Sequence, residues 1–189
     1  RGYQLVTVSE LAECRGGMIP FFKTPEEFGQ YVRLHFAKQD IPECSAENGV
    51  TVIKVIRAAL TRVLQFLRDD PACRFAQLTD ICCTHYPERT DGYLLAYHLL
   101  SLTTGRRLRV TCATSADVAV DSVSPVFQNA VWYEREIREM FGVSFENHPD
   151  LRRLLTDDGD RAFPLRKSEE QTVPPERLTG VDISEGGDD

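Results

Sequence analysis

Residues 93–102, Tyr-Leu-Leu-Ala-Tyr-His-Leu-Leu-Ser-Leu, constrain the fold more than any other stretch. The run is strand-length, almost continuously apolar, and followed by Thr103-Thr104-Gly105. Beyond that turn the chain returns as Arg107-Leu108-Arg109-Val110-Thr111-Cys112, in which apolar and polar residues alternate. A period of two puts Leu108, Val110 and Cys112 on one face and Arg107, Arg109 and Thr111 on the other. The pair reads as an antiparallel hairpin. The unbroken apolarity of its first arm predicts a strand buried on both faces. The second arm is expected to turn its arginines to solvent or to an acidic neighbour, with Leu99 and Val110 in the core.

Helical and strand signals surround the hairpin. Thr24-Pro25-Glu26-Glu27 opens a helix, with Thr24 as cap, Pro25 at the first helical position and Glu27 completing a capping box. Phe28, Tyr31, Val32 and His35 follow on one face, where His35 reads as a partly buried stripe residue. Asn48-Gly49 marks a turn before a β-branched strand, 50–55. Leu60, Val63, Leu64 and Leu67 return to helical spacing until Asp69-Asp70-Pro71 stops them. Residues 75–83 read as a further strand. Ser124-Pro125 is the expected start of a helix carrying Val126, Ala130, Tyr133, Ile137 and Met140 or Phe141, closed at Gly142. Pro149 is expected to open a short helix with Leu151, Leu154 and Leu155. The fold class is α/β (α+β): a mixed β-sheet with an antiparallel hairpin, helices packed on the sheet and an extended C-terminal tail. The organisation reads as an N-terminal arm (1–23), one domain (24–167) and a polar tail (168–189).

Composition excludes several functions. The net charge is −7, with 29 acidic against 22 basic residues, which argues against broad contact with nucleic-acid phosphates. No apolar run reaches membrane-spanning length. Arg1-Gly2-Tyr3 has neither an initiator Met nor a secretory h-region, and a cleaved organelle-targeting peptide is one explanation. The six cysteines form no CxxC pair, and the adjacent Cys82 and Cys83 suit neither a zinc site nor an iron–sulfur cluster. They read as small core residues, against the alternative of a small thiol or metal redox protein.

No stand-alone catalytic site emerges. His35, His85, His98 and His148 lack metal-ligand spacing, and no phosphate-binding glycine loop or nucleophile elbow is present. Glu134, Glu136 and Glu139 alternate with Arg135 and Arg138. On a helix, Glu134 with Arg138 and Arg135 with Glu139 make i,i+4 pairs. Such pairing would lower the carboxylate pKa values, the reverse of an acid/base dyad.

That charged block, Glu134-Arg135-Glu136-Ile137-Arg138-Glu139-Met140-Phe141-Gly142, is followed by His148-Pro149-Asp150-Leu151-Arg152-Arg153-Leu154-Leu155. Together they resemble the signature of the 30 kDa subunit family of respiratory complex I, the NADH:quinone oxidoreductase. Earlier blocks are similar to the family in the same order: Leu67-Arg68-Asp69-Asp70-Pro71, Tyr86-Pro87-Glu88-Arg89, and Tyr97 to Leu102 before the Arg-Leu-Arg-Val strand. Glu139 stands where many members carry Asp. After Asp157 the chain departs from the family's usual Asp-Tyr-Gly-Phe-Glu-Gly-His-Pro.

The resemblance implies a structural subunit of the peripheral arm that binds no cofactor itself, in a proton-translocating complex that uses NADH, FMN, iron–sulfur clusters and quinone. It implies no catalytic, cofactor-binding or metal residues in this chain. It marks Glu134, Arg135, Glu136, Glu139, Met140, Phe141, His148, Arg152, Leu154 and Leu155 as family-signature and interface residues. The implied partners are the quinone-pocket (49 kDa) subunit and neighbouring iron–sulfur subunits. The implied location is the matrix side of the mitochondrial inner membrane, or the cytoplasmic side of a bacterial plasma membrane. The related subunit of a membrane-bound hydrogenase or formate-oxidising complex is the near alternative.

Overall fold

Helix α1 (Pro25–Leu34) starts where its cap predicts: Thr24 Oγ1 accepts the Glu27 N–H at 3.2 Å. Glu27 reaches one residue further back than a capping box requires and accepts the Lys23 N–H at 2.8 Å. Phe28, Tyr31 and Val32 are buried, whereas His35 ends the helix and is exposed, its ring against Tyr31 and Phe66. The structure, a computed structural model, describes residues 22–156 and 162–167. The polar tail and nearly all of the N-terminal arm therefore lie outside the described residues. Phe22, assigned to the arm, is buried against Phe28 and Tyr31.

Two strands flank Asn48-Gly49: β1 (Glu43–Glu47) and β2 (Val50–Lys54) pair antiparallel. Asn48 and Gly49 have φ of 50° and 78°, the left-handed pair that a two-residue hairpin turn needs. Helix α2 (Leu60–Asp69) buries Leu60, Val63, Leu64 and Leu67, as spaced in the sequence, and ends before Pro71. Strand β3 (Gln77–His85) starts two residues later than expected. Phe75 is instead used to close the preceding turn, its N–H donating to Leu67 O at 2.9 Å. Strands β4 (Tyr93–Ser101) and β5 (Arg106–Thr114) form the expected hairpin, with Leu99 opposite Leu108 and Tyr97 opposite Val110.

The five strands run β1-β2-β5-β4-β3, with β2 and β5 parallel and the remaining neighbours antiparallel. The sheet is mixed, as the sequence reading has it. Helix α3 (Ala130–Phe141) packs on β3, and α1 packs on β1 and β2. Leu99 and Val110 are buried in the core between helices and sheet.

Three expectations need correction. First, β4 is not buried on both faces. Tyr93, Leu95, Tyr97, Leu99 and Ser101 are buried, while Leu94, Ala96, His98 and Leu100 are half-buried. Among the described residues, the core elements cover one face of the sheet and the other stays open. Arg109 lies on that open face and meets the acidic neighbour Glu47 at 3.3 Å. Second, Ser124-Pro125 begins a set of turns, and α3 starts at Ala130. Third, Pro149 opens no helix: residues 149–156 are irregular.

A short parallel pair, β6 (Val120–Asp121) and β7 (Phe145–Glu146), joins the segments on either side of α3. The register of β3 against β4 shifts between Leu78 and Asp80. Asn129 Nδ2 donates to Leu78 O at 2.8 Å and Tyr133 Oη donates to Thr79 O at 3.0 Å. The irregular edge of the sheet is thereby tied to α3.

Candidate interaction site

Most of the charged block lies on α3, and two of its three carboxylates, Glu134 and Glu139, are structural. Ala130, Glu134 and Ile137 form the buried stripe of the helix, at steps of four and three. Glu134 is fully buried, accepting the Ser122 hydroxyl at 2.6 Å and the Val123 N–H at 2.7 Å. Burial pushes its pKa up to about 7 against the opposing pull of those two donors. The expected exposed pair with Arg138 is not how this carboxylate is used, and its pKa is raised rather than lowered. Its partners lie 11 and 12 residues earlier in the chain, a distance that helical spacing cannot reveal.

His148 sits beside Glu134, its Nε2 3.7 Å from the carboxylate and 3.2 Å from Val131 O. Its Nδ1 accepts the Asp150 N–H at 3.0 Å. A backbone N–H only donates, so Nδ1 carries a lone pair and Nε2 donates to Val131 O. The ring is neutral, in keeping with a pKa lowered chiefly by desolvation. His148 therefore pins the following loop to α3 without forming an ion pair.

Glu139 holds the other end of that loop. Its carboxylate accepts N–H groups from Leu154 at 2.6 Å, Leu155 at 3.1 Å and Thr156 at 2.5 Å, and the Thr156 hydroxyl at 2.6 Å. Desolvation raises its pKa, but these donors outweigh it and bring it down to about 2. Arg135 donates to the carbonyls of Arg152 and Arg153, both at 2.8 Å, and Arg138 donates to Leu151 O at 3.2 Å. Residues 149–156 thus give backbone donors and acceptors to side chains of α3. That competition explains why a leucine-rich stretch with helical spacing forms no helix.

Gly142 closes α3 with φ of 76°, its N–H on Arg138 O. The neighbouring carbonyls are taken by the 162–167 segment: Leu165 N–H on Met140 O at 3.1 Å and Arg166 Nε on Phe141 O at 2.7 Å. Of the remaining signature residues, Met140 and Phe141 are half-buried, and Glu136, Arg152, Leu154 and Leu155 are exposed. Trp132, beside them on α3, is exposed as well, with the Arg135 guanidinium 5.4 Å from its ring centroid.

Two of the concave surfaces among the described residues lie beside these groups. Arg135, Arg138, Glu139, Leu151, Arg152, Arg153 and Phe163 line a groove of about 330 Å³ beside α3. The open sheet face forms a second, of about 440 Å³, around Val52, Leu94, Ala96, His98 and Thr111. Cys82 faces that side and donates to Asp80 at 3.1 Å, while Cys83, the next residue of β3, packs towards the core. Adjacent strand residues point to opposite faces, so the two sulfurs do not converge on one ligand. Desolvation pushes their thiols up to about 11 and about 12. Among the described residues, no helix is long and apolar enough to cross a membrane.

Residues 53–174 match the family described as respiratory-chain NADH dehydrogenase, 30 Kd subunit. An NADH-quinone oxidoreductase subunit of Parvibaculum lavamentivorans is 53% identical over 109 residues, 58% of this chain and 54% of that one. The corresponding subunit of Maricaulis maris is 47% identical over 123 residues, covering 65% and 62%. That of Paramagnetospirillum magneticum is 39% identical over 142 residues, covering 75% and 71%. The matched part thus spans little more than half the length of the first of these relatives. A chain of the membrane-bound sulfane sulfur reductase, an archaeal respiratory membrane complex, superposes with a TM-score of 0.67 over 87% of this chain and 95% of that one. At 21% identity, that likeness concerns the fold alone.

Proposed function

Because the chain belongs to the family of respiratory-chain NADH dehydrogenase 30 Kd subunits, we propose that it is a cofactor-free scaffold in the peripheral arm of an NADH-quinone oxidoreductase. In this reading it supports electron transfer from NADH to quinone, coupled to proton pumping, and carries no electrons itself. FMN, iron–sulfur clusters and quinone belong to neighbouring subunits. The partners are the 49 kDa-type subunit of the quinone pocket and adjacent iron–sulfur subunits.

One observation carries the reading: the buried polar groups of the signature are used to build a surface. Glu134, His148 and Glu139 fix the segments on either side of α3, and Arg152, Leu154 and Leu155 are left outside on the loop they hold. A carboxylate saturated by four donors, and another buried against a neutral histidine, suit rigid support better than proton or electron transfer. The bacterial origin of the relatives favours the cytoplasmic side of a bacterial plasma membrane over the mitochondrial matrix side.

Deleting the gene in its own host and measuring membrane NADH–quinone activity, with native-gel analysis of the complex, tests this. Loss of the assembled complex, restored by the full chain, is the expected result. An assembled and active complex in the deletion strain would refute it.

A further inference from the structure

We propose that Glu134, with Ser122, Ser124 and His148, forms a pH-sensitive latch: it holds the segments on either side of α3 while the carboxyl is protonated and loosens them once it ionises. The device belongs to the chain itself and does not depend on the assembly reading. Ser122 Oγ lies 2.6 Å from Glu134 Oε2 and 2.7 Å from Ser124 Oγ, and it accepts the Ser124 N–H at 3.1 Å. A hydroxyl has one proton and two lone pairs. With Glu134 ionised, the hydroxyl protons run from Ser124 to Ser122 to the carboxylate. With Glu134 neutral, they run the other way, and the acid donates to Ser122, which donates to Ser124. Both arrangements satisfy Ser122 at the same heavy-atom positions. Ser124 is half-buried, so the chain of hydroxyls leads from the covered carboxyl towards the surface. What separates the two states is the buried charge, which is costly.

Nothing close by offsets that charge without undoing the docking. Both donors to Glu134, the Ser122 hydroxyl and the Val123 N–H, are neutral. His148, whose side chain is also fully buried, could become a cation only by placing a proton on Nδ1, where the Asp150 N–H already points. Arg135 and Arg138 of α3 oppose that protonation, against Asp150 of the loop. Tyr97 of β4 faces Glu134, but burial holds its phenol well above the usual range, so it stays neutral. Asp121 and Glu146, on the β6–β7 pair, are exposed. Ionised Glu134 therefore favours admission of water or protonation of His148, and either loosens a segment. The two segments are tied to each other by the Val120 N–H on Ser144 O and the Ser122 N–H on Glu146 O, so they loosen together. Burial raises the carboxyl from 4.5 to about 7, so closure is fully favoured below pH 4.5 and the advantage is lost as pH rises through 7. Glu139, brought down to about 2, holds residues 154–156 independently of this change.

The test is NMR of the full chain between pH 5 and pH 8, with carboxyl-labelled glutamate and amide exchange corrected for intrinsic base catalysis. The Glu134 carboxyl carbon is expected to titrate near 7. Protection at Val123 and Asp150 is expected to fall by up to about 100-fold over that range, while protection at Leu155 and Thr156 stays constant. In Glu134→Gln the amide oxygen accepts the Val123 N–H and the NH2 donates to Ser122, as the neutral acid does. That variant is expected to keep the parent's pH 5 protection throughout. Titration of Glu134 near 4.5, protection in the parent that is independent of pH, an equal fall at Leu155 and Thr156, or the same pH dependence in Glu134→Gln would overturn the inference. Should the variant fail to fold, the parent's carboxyl titration and exchange profile decide the matter alone.

Discussion

Replacing Glu139 with glutamine tests how α3 shapes its neighbouring loop. Glutamine keeps the side-chain length and one acceptor oxygen, but it presents an NH2 group to the donors of Leu154, Leu155 and Thr156. The carboxylate pKa falls from an ordinary 4.5 to about 2 in the folded chain. At about 1.4 kcal/mol per tenfold change, that corresponds to about 3 kcal/mol favouring the docked loop at neutral pH. The carboxylate is covered by the loop but lies close to the chain's surface, so solvent screening makes about 3 kcal/mol an upper bound. The folded pKa lies below the unfolded one. The contribution is therefore fully present above pH 4.5 and is lost as pH falls through about 2. Amide hydrogen exchange at residues 154–156 of the full chain reads it directly. Exchange in Glu139→Gln should be faster than in the parent by up to about 300-fold at pH 7, narrowing to at most about tenfold at pH 3. Equal protection in the two chains, or a gap that does not change with pH, would refute the argument.

The buried Glu134 has the opposite sign. Its folded pKa of about 7 exceeds the ordinary 4.5, so its stabilisation is present below pH 4.5 and lost as pH rises through 7. Glu134→Gln should therefore gain on the parent by up to about 3 kcal/mol between pH 5 and pH 8 in thermal melts, and a difference independent of pH would contradict this. Gly142→Ala should destabilise by about 1–3 kcal/mol in denaturant titrations, because the residue has φ of 76° and a Cβ would collide with Arg166 and Phe163. Leu99→Asp should unfold the chain, since an unpaired carboxylate at a 1%-exposed site costs several kcal/mol. A cooperative melt in that variant would refute the core assignment.

Local signals carried the legible part of the fold. Thr24-Pro25, Asn48-Gly49 and the Leu60–Leu67 stripe each state their structure within a few residues, and the elements formed accordingly. Strand β1, Glu-Cys-Ser-Ala-Glu, has no β-branched or aromatic residue and exists through its pairing with β2, so it left no signal of its own. The carboxylates of α3 misled for a related reason. Helical spacing placed Glu134 opposite Arg138, but Ser122 and Val123 supply its partners through the tertiary fold. The 149–156 loop shows side-chain hydrogen bonds overriding a helical pattern. In β4 the apolar pattern asks for two covered faces and the described residues cover one, leaving Leu94, Ala96 and Leu100 half-buried.

The central claim is that this chain supports a respiratory complex from within while binding no redox group. Its most direct test is affinity purification of the tagged full chain from native membranes of its source, with mass spectrometry of the recovered proteins and metal and flavin analysis of the chain after it is separated from its partners. The account predicts stoichiometric recovery of the other NADH-quinone oxidoreductase subunits, with iron and flavin remaining in the partner fraction. A chain that purifies alone, or that retains stoichiometric iron, zinc or flavin after separation, would contradict it.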